Sequence, residues 1–364
     1  MKILHYIEEK RLSWALPWIS LLKELERSGV ENHVLCAPGG TLSSLLRENS
    51  IQCTEVETLL PALPAFARDF KTALDRLSPD LLHTRLSAAA RIGGYWGKRK
   101  ELPVVSTVDK FAKIKYYRNS DRLIACSEAV ALHLRKQGVA AEKISVIYNG
   151  IQTEAFEANS TLREEKRKTA GLTADEILIT AAGRFDEGKG FNILLEAFAK
   201  LKQKSSSKKF RLMLMGSGPY EERYKSFIET EKLRQDVIMT GFVADIRPWL
   251  QASDIFVFPS DRPEAFGLSL LEAMASGLPS VAAACGGPEE LIKSEDSGLL
   301  VPPKNSSALC SALERLAASE EYRKKLGASA KTRARFFDIR KSAKESCELY
   351  YRLLEERKES SRRL

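Results

Sequence analysis

Ile177-Leu178-Ile179-Thr180-Ala181 leads into Gly183-Arg184-Phe185-Asp186-Glu187-Gly188-Lys189-Gly190, and then into the stretch Phe191–Lys202. The first run is aliphatic and β-branched, the second a glycine-rich charged turn, and the third apolar at helical spacing. A short continuous apolar run suits a strand covered on both faces, and the turn then hands the chain to a covering helix. The same rhythm continues downstream. Arg211–Met215, Val237–Thr240, Ile255–Phe258, Ser280–Ala283 and Gly298–Val301 read as strands. Tyr220–Glu231, Leu268–Ser276, Ser307–Ala317 and Tyr322–Ala334 read as the helices between and after them. Strand, helix, strand at this spacing predicts an α/β fold built on a parallel sheet.

Upstream the pattern occurs a second time. Lys2–Ile7, His33–Ala37, Leu81–Thr84, Val104–Val108, Arg122–Cys126 and Ile144–Tyr148 read as strands, with Leu16–Ser28, Phe66–Leu77 and Glu128–Gln137 as helices. It stops near Asn149-Gly150 and Ile151–Ser160 and resumes after the charged patch Leu162–Thr169. Two Rossmann-like halves follow, residues 1–160 and 161–340, with a hinge near 150–165. A chain of 364 residues exceeds the size at which one core stops growing, which also favours two domains. Ser205–Lys209 reads as a polar turn.

Composition excludes several classes. With 44% hydrophobic and 29% charged residues the chain is globular, neither disordered nor fibrous. No stretch is apolar over about 18 residues, so no spanning helix is expected. The apolar opening Met1–Ile7 meets Glu8, Glu9, Lys10 and Arg11 at once, too early for an export signal, so a cytoplasmic location is expected. Six cysteines, none in a C-x-x-C pair, then read as reduced thiols, and no metal site is expected. The formal charge of +9 concentrates, with aromatics, in Tyr95, Trp96, Lys98–Lys100, Lys110, Phe111, Lys113 and Lys115–Arg118. This segment is either a solvated surface or a face that settles on anionic headgroups at the inner face of a membrane. No nucleic-acid motif accompanies it. The basic tail Arg357, Lys358, Arg362, Arg363 reads as a frayed end.

In open parallel sheets ligands sit at the carboxyl ends of strands, and five motifs lie there. Gly183 opens a turn in which Arg184 and Lys189 supply two cations for a diphosphate. Gly216-Ser217-Gly218-Pro219 either offers N–H groups to a phosphate or is only a tight turn. Thr240-Gly241-Phe242-Val243 either flanks a nucleobase or is a strand exit with a core phenylalanine. Pro263-Glu264-Ala265-Phe266-Gly267-Leu268-Ser269-Leu270-Leu271-Glu272 places two carboxylates eight positions apart about a helix N-terminus, whose N–H groups favour an anion. Gly286-Gly287-Pro288-Glu289-Glu290 is a further glycine turn, its acids suited to a helix start.

This ordered set, G-R-x4-K-G, G-x-G-P, G-F, E-x7-E and G-G-P-E, resembles the retaining glycosyltransferases of family 4. The resemblance covers nearly all of the C-terminal half and extends more weakly to Ala125–Glu128 and Val146–Ile151. It implies the GT-B fold, two Rossmann-like domains facing each other across a deep cleft. The last helix, from about Ser342, would pack back on the first domain, so residues 341–364 belong there. The implied reaction moves a sugar, with retention and without metal or other cofactor, from a nucleoside diphosphate sugar to a glycan or glycolipid acceptor of cell-surface polysaccharide or lipopolysaccharide. UDP-sugar is the preferred donor, then GDP-sugar. Arg184 and Lys189 would neutralise the diphosphate, Glu264 hold donor-sugar hydroxyls and Glu272 the ribose, with backbone from Ala265 to Leu268 on phosphate or sugar. The two glutamates are then hydrogen-bond acceptors and not a general acid and base.

The first half departs from that family. Where relatives carry Gly-Gly after the first strand, this chain has Glu9-Lys10-Arg11-Leu12-Ser13-Trp14-Ala15. Where many carry T-x-H it has Thr107-Val108-Asp109. Asp109 either orients a donor or acceptor hydroxyl or caps a helix. His83 is either a site residue or a plain strand-end histidine. The rival readings are a sugar-nucleotide epimerase of the same fold and a non-catalytic sugar-nucleotide sensor.

Overall fold

The computed structural model describes residues 1–10, 12, 14–58, 63–204 and 209–362, with side chains through 359. The expectations at Arg11, Ser13, residues 205–208 of the polar turn and the side chains of Arg362 and Arg363 lie outside the described residues. Two compact α/β units result, Met1–Gln152 with Asp338–Leu364, and Thr153–Phe337.

The N-terminal unit holds strands β1 (Lys2–Ile7), β2 (Glu31–Cys36), β3 (Cys53–Glu55), β4 (Leu81–Arg85), β5 (Val104–Val108), β6 (Arg122–Ala125) and β7 (Ile144–Val146). They form one sheet in the order β3-β2-β1-β4-β5-β6-β7, with parallel pairing throughout. Its helices are α1 (Ala15–Arg27), α2 (Thr41–Glu48), α3 (Arg68–Leu77), α4 (Ser87–Arg99) and α5 (Glu128–Lys136). Side chains alternate across the sheet with period two. Ile3 and Ile7 join the core on one face, and Leu4 and Tyr6 that on the other. Gly93 and Gly97 let α4 lie close on the sheet, because a Cβ there would stand 2.4 Å from Thr84 Cγ2 and 2.2 Å from Val104 Cγ2.

The C-terminal unit begins with α6 (Ser160–Thr169) and has strands β8 (Ile177–Ala182), β9 (Phe210–Met215), β10 (Val237–Gly241), β11 (Ile255–Phe258), β12 (Ser280–Ala283) and β13 (Leu299–Val301). Its sheet runs β10-β9-β8-β11-β12-β13, again all parallel. Helices α7 (Phe191–Lys204), α8 (Glu221–Thr230), α9 (Arg247–Ala252), α10 (Leu268–Ala275), α11 (Gly287–Leu291), α12 (Ser306–Ala318) and α13 (Glu320–Ala334) complete it. Each sheet reverses its strand order once, between β1 and β4 and between β8 and β11. Those two points are where an α/β sheet opens a crevice for ligands.

The closing helix, Ile339–Arg362, is counted with the N-terminal unit. Ile339 N donates to Ile151 O at 2.9 Å and Ser342 Oγ to Tyr148 O at 2.7 Å. Gly150 permits that approach, since its Cβ would lie 2.9 Å from Ile339 Cα. The chain therefore changes units at 152/153 and 337/338, against the expected 160/161 and 340/341. The end that reads as frayed is helical at Arg357, which forms an ion pair with Asp121 at 3.4 Å. Tyr350 OH lies 2.6 Å from His83 Nδ1 in the core. Tyr350→Phe leaves that buried nitrogen alone and should cost about 1–2 kcal/mol. A lowered Tm by calorimetry is expected, and an unchanged Tm would count against this contact.

Candidate functional site

The turn after β8 and the turn after β11 flank the reversal point of the C-terminal sheet. Lys189 leaves the first and Glu264 the second, and Lys189 Nζ lies 2.6 Å from Glu264 Oε2. Ser260 Oγ donates to the same oxygen at 3.2 Å. The backbone fixes Glu264 from the other side, with Glu264 N donating to Cys285 O and Gly287 N donating to Glu264 O, each at 2.8 Å. Gly287 has to be glycine, because a Cβ would meet Phe266 Cα at 2.4 Å. Gly190 has φ +68°, and a Cβ would stand 1.8 Å from Pro259 O. The glycines thus bring three strand-end turns, carrying Lys189, Glu264 and Gly286-Gly287, into contact.

Arg184 is 73% exposed and pairs with Asp186 on its own turn. Its neighbour Phe185 is fully buried against Phe191 and Tyr224, which anchors the turn. Gly183 N donates to Met215 O and Gly216 N to Gly241 O, so neither amide serves a phosphate. For Gly216 the tight-turn reading is the one observed. Phe242 is 65% exposed, which removes the core-phenylalanine reading and leaves a ring at the surface beyond β10. Glu289 Oε1 accepts from Gly286 N at 2.9 Å at the start of α11.

Gly267, at φ +112°, precedes α10, and no side chain caps that helix. Its first turn presents the partial positive charge of the helix beside Glu264. Glu272 lies farther along α10, half-buried, and its carboxylate has no hydrogen-bond partner among the described residues. Burial pushes this carboxyl from 4.5 up to about 8, the charge of Asp245 adds to the rise, and Arg247 opposes it. Arg247 grips Asp245 with Nε at 2.8 Å and Nη2 at 2.7 Å. Sequence reasoning missed this pair. Its only signal is two opposite charges two positions apart at a helix start, a pattern too common to single out.

The N-terminal unit has its own polar cluster at the ends of β4 and β5. Arg85 Nη2 donates to Asp109 Oδ1 at 3.3 Å and Asn149 Oδ1 at 3.1 Å, and Asn149 Nδ2 reaches Asp109 Oδ1 at 3.3 Å. The guanidinium lies 5.0 Å from the Trp14 ring centre. Asp109 Oδ2 and Arg85 Nε are buried without hydrogen-bond partners among the described residues. Leu86, next in the chain, has φ +70° and ψ 162°, a region almost confined to glycine. No helix starts at Asp109, so the capping reading is set aside. His83 is buried, with Nδ1 held by Tyr350 and Nε2 2.7 Å from Thr107 Oγ1. It is a core histidine. Among the described residues no group of three His, Cys, Asp or Glu side chains could hold a metal ion.

Two family models match the chain, glycosyl transferases group 1 over residues 163–333 and glycosyltransferase family 4 over residues 18–155. An uncharacterized glycosyltransferase of Methanocaldococcus jannaschii is 32% identical over 194 residues, 52% of this chain and 49% of that protein. The chain thus spans about half the length of some curated relatives that it matches. The lipopolysaccharide core biosynthesis glycosyltransferase LpsE of Rhizobium meliloti is 26% identical over 333 residues, 90% of this chain and 92% of that protein. Among solved structures, HepE of Anabaena in complex with UDP and glucose superposes with a TM-score of 0.85 at 23% identity, covering 96% of this chain and 99% of that one. The lipopolysaccharide outer core galactosyltransferase WaaB gives 0.73 at 18%, with 96% and 99% covered. These structural likenesses show the fold, which is GT-B.

The shifted Glu272 has a signed consequence. Its folded pKa is raised, so the folded state holds the proton more tightly, and stability falls as pH climbs from about 4.5 through about 8. Glu272→Gln removes that loss. The variant should melt increasingly above wild type as pH rises across this window, with the difference vanishing near the lower end. A difference independent of pH would refute the assignment.

Proposed function

We propose that the chain is a family 4 glycosyltransferase of the GT-B fold that transfers a sugar with retention from a UDP-sugar to a glycan or glycolipid acceptor in cell-surface polysaccharide or lipopolysaccharide synthesis. One observation carries this reading. The Lys189–Glu264 pair lies at the reversal point of the C-terminal sheet, just before the helix α10 that carries Glu272 and whose N-terminus has no side-chain cap. On donor binding Lys189 turns to the diphosphate and Glu264 to the sugar hydroxyls, so each exchanges one partner for a ligand group. Glu272 accepts from the ribose. Arg184, exposed and paired with its neighbour Asp186, swings to the second phosphate. The exposed Phe242 flanks the base.

Lys189, Arg184 and the first turn of α10 supply positive charge where the departing nucleoside diphosphate gains negative charge. The reaction on this reading needs no divalent metal. The bond from the anomeric carbon to the diphosphate oxygen breaks, the acceptor oxygen bonds to that carbon from the same face, and the leaving phosphate takes the acceptor proton. We assign the acceptor to the N-terminal unit, where Asp109 Oδ2 and Arg85 Nε present an acceptor and a donor unpaired among the described residues. A sugar hydroxyl can satisfy both. UDP is favoured because HepE was solved with UDP and glucose.

A thermal-shift panel of nucleotide sugars with EDTA present tests the donor. A ligand at about 100 times its Kd should add about 2.7 kcal/mol. Absence of any shift with UDP- or GDP-sugars would sink the reading. Glu264→Ala should lower sugar transfer by about a hundredfold or more while UDP binds as before. Arg184→Ala should weaken UDP and UDP-sugar alike. Full turnover in Glu264→Ala, measured as UDP release, would remove its role.

A further inference from the structure

Two side chains hold Glu264 by the same oxygen. Lys189 Nζ and Ser260 Oγ lie 2.6 Å and 3.2 Å from Oε2, while Oε1 accepts no hydrogen bond among the described residues. The two donors are anchored differently. Lys189 ends a long side chain that keeps 32% of its exposure. Ser260 is 1% exposed, and its hydroxyl proton meets no other acceptor among the described residues. The backbone on either side of Ser260 is tied to the turn that carries Lys189. Pro259 O lies where a Cβ on Gly190 would stand only 1.8 Å from it, and Asp261 N donates to Gly188 O at 3.0 Å. Ser260 O accepts from the Cys285 thiol, beyond β12, at 3.6 Å. Ser260 is therefore a fixed point where the turns after β8, β11 and β12 meet.

The end of a glutamate is hard to orient. Its last torsion has a broad, two-fold profile, so a carboxylate with no directional partner swings over a wide arc. When Lys189 turns to the diphosphate, Oε2 loses one of its two donors. We infer that Ser260 is a positioning residue, which keeps the Glu264 carboxylate aimed at the donor sugar once Lys189 has left it. Oε2 stays tethered to the serine hydroxyl, and Oε1 is left to accept from sugar hydroxyls. The hydrogen bond is charge-assisted, and its serine is in place before the sugar arrives. Lys189 and Ser260 then divide the work at one oxygen. The lysine exchanges partners, and the serine does not. The inference rests on the donor-binding reading above and adds to it the group on which Glu264 relies.

The test is a double-mutant cycle on the full chain. Wild type, Ser260→Ala, Glu264→Ala and the double variant are compared for UDP affinity by titration calorimetry. Their kcat is measured as UDP release from the UDP-sugar that gives the largest thermal shift. Ser260→Ala should bind UDP as wild type does and keep about one tenth of its kcat or less, the usual loss for a hydrogen bond to a charged group. In the Glu264→Ala background the same change should have no further effect, because Ser260 acts only through that carboxylate. Ser260→Cys, close in size but a weaker donor, should also lose activity. Wild-type kcat in Ser260→Ala or Ser260→Cys overturns the proposal. So does a fall in UDP affinity as large as the fall in kcat, which marks a merely structural role, or an undiminished loss in the Glu264→Ala background. With wild type active, these outcomes remove the role of Ser260 alone. A wild type with neither a thermal shift nor UDP release removes the donor reading, and this inference with it.

Discussion

Lys189 and Glu264 leave the C-terminal sheet from β8 and β11, the two strands between which its order reverses. Those strands pair over only two residues, Ile255 with Ile179 and Phe256 with Thr180. Beyond them the turns diverge, and the ion pair helps to hold them together. Its two side chains keep 32% and 20% of their exposure. A pair so open to water is worth at most about 1 kcal/mol, because solvent already satisfies both charges. That weakness suits a site in which both groups must change partners. A deeply buried pair would resist such an exchange at a cost of several kcal/mol, roughly 3–5.

What is rigid here is the backbone beneath the pair. Gly190, Gly216, Gly218 and Gly287 each bring a turn so near another main chain that a Cβ would clash. The side chains of Lys189 and Glu264 can therefore exchange partners, while the turns carrying them are fixed. Preorganised backbone with exchangeable side-chain contacts is what transfer chemistry asks of a site that must bind, react and release.

The α/β class and most elements were legible because buried parallel strands leave an unbroken aliphatic signature. Val104–Val108, Ile255–Phe258 and Ser280–Ala283 fall where the runs of Val, Ile, Phe and Ala place them. Strand β3 was not, since Cys53-Thr54-Glu55 is short, only partly buried and at the sheet edge. Helix α4 was hidden by Gly93, Gly94 and Gly97, poor helix formers kept for close packing on the sheet. At the site the glycine turns and both glutamates stood out in sequence, but their mutual arrangement did not. Arg85 lies 24 residues before Asp109, and Asn149 another 40 beyond it, so only the fold assembles that cluster. Asp245 and Arg247 look like any pair of surface charges until Glu272 is placed near them.

The chain leaves the N-terminal unit after Gln152 and re-enters it at Asp338, and Ile151 O accepts from Ile339 N across the two passages. During synthesis this makes the order of maturation differ from the order of sequence. The N-terminal unit is made first but stays unfinished. Its core lacks Ile339, Ala343, Leu349, Tyr350 and Leu353 until the helix that starts at Ile339 has left the ribosome. The inserted unit has all of its chain by Phe337 and can close its own core earlier. On a translating ribosome, the Thr153–Phe337 unit would be complete while the other still awaited the helix that starts at Ile339.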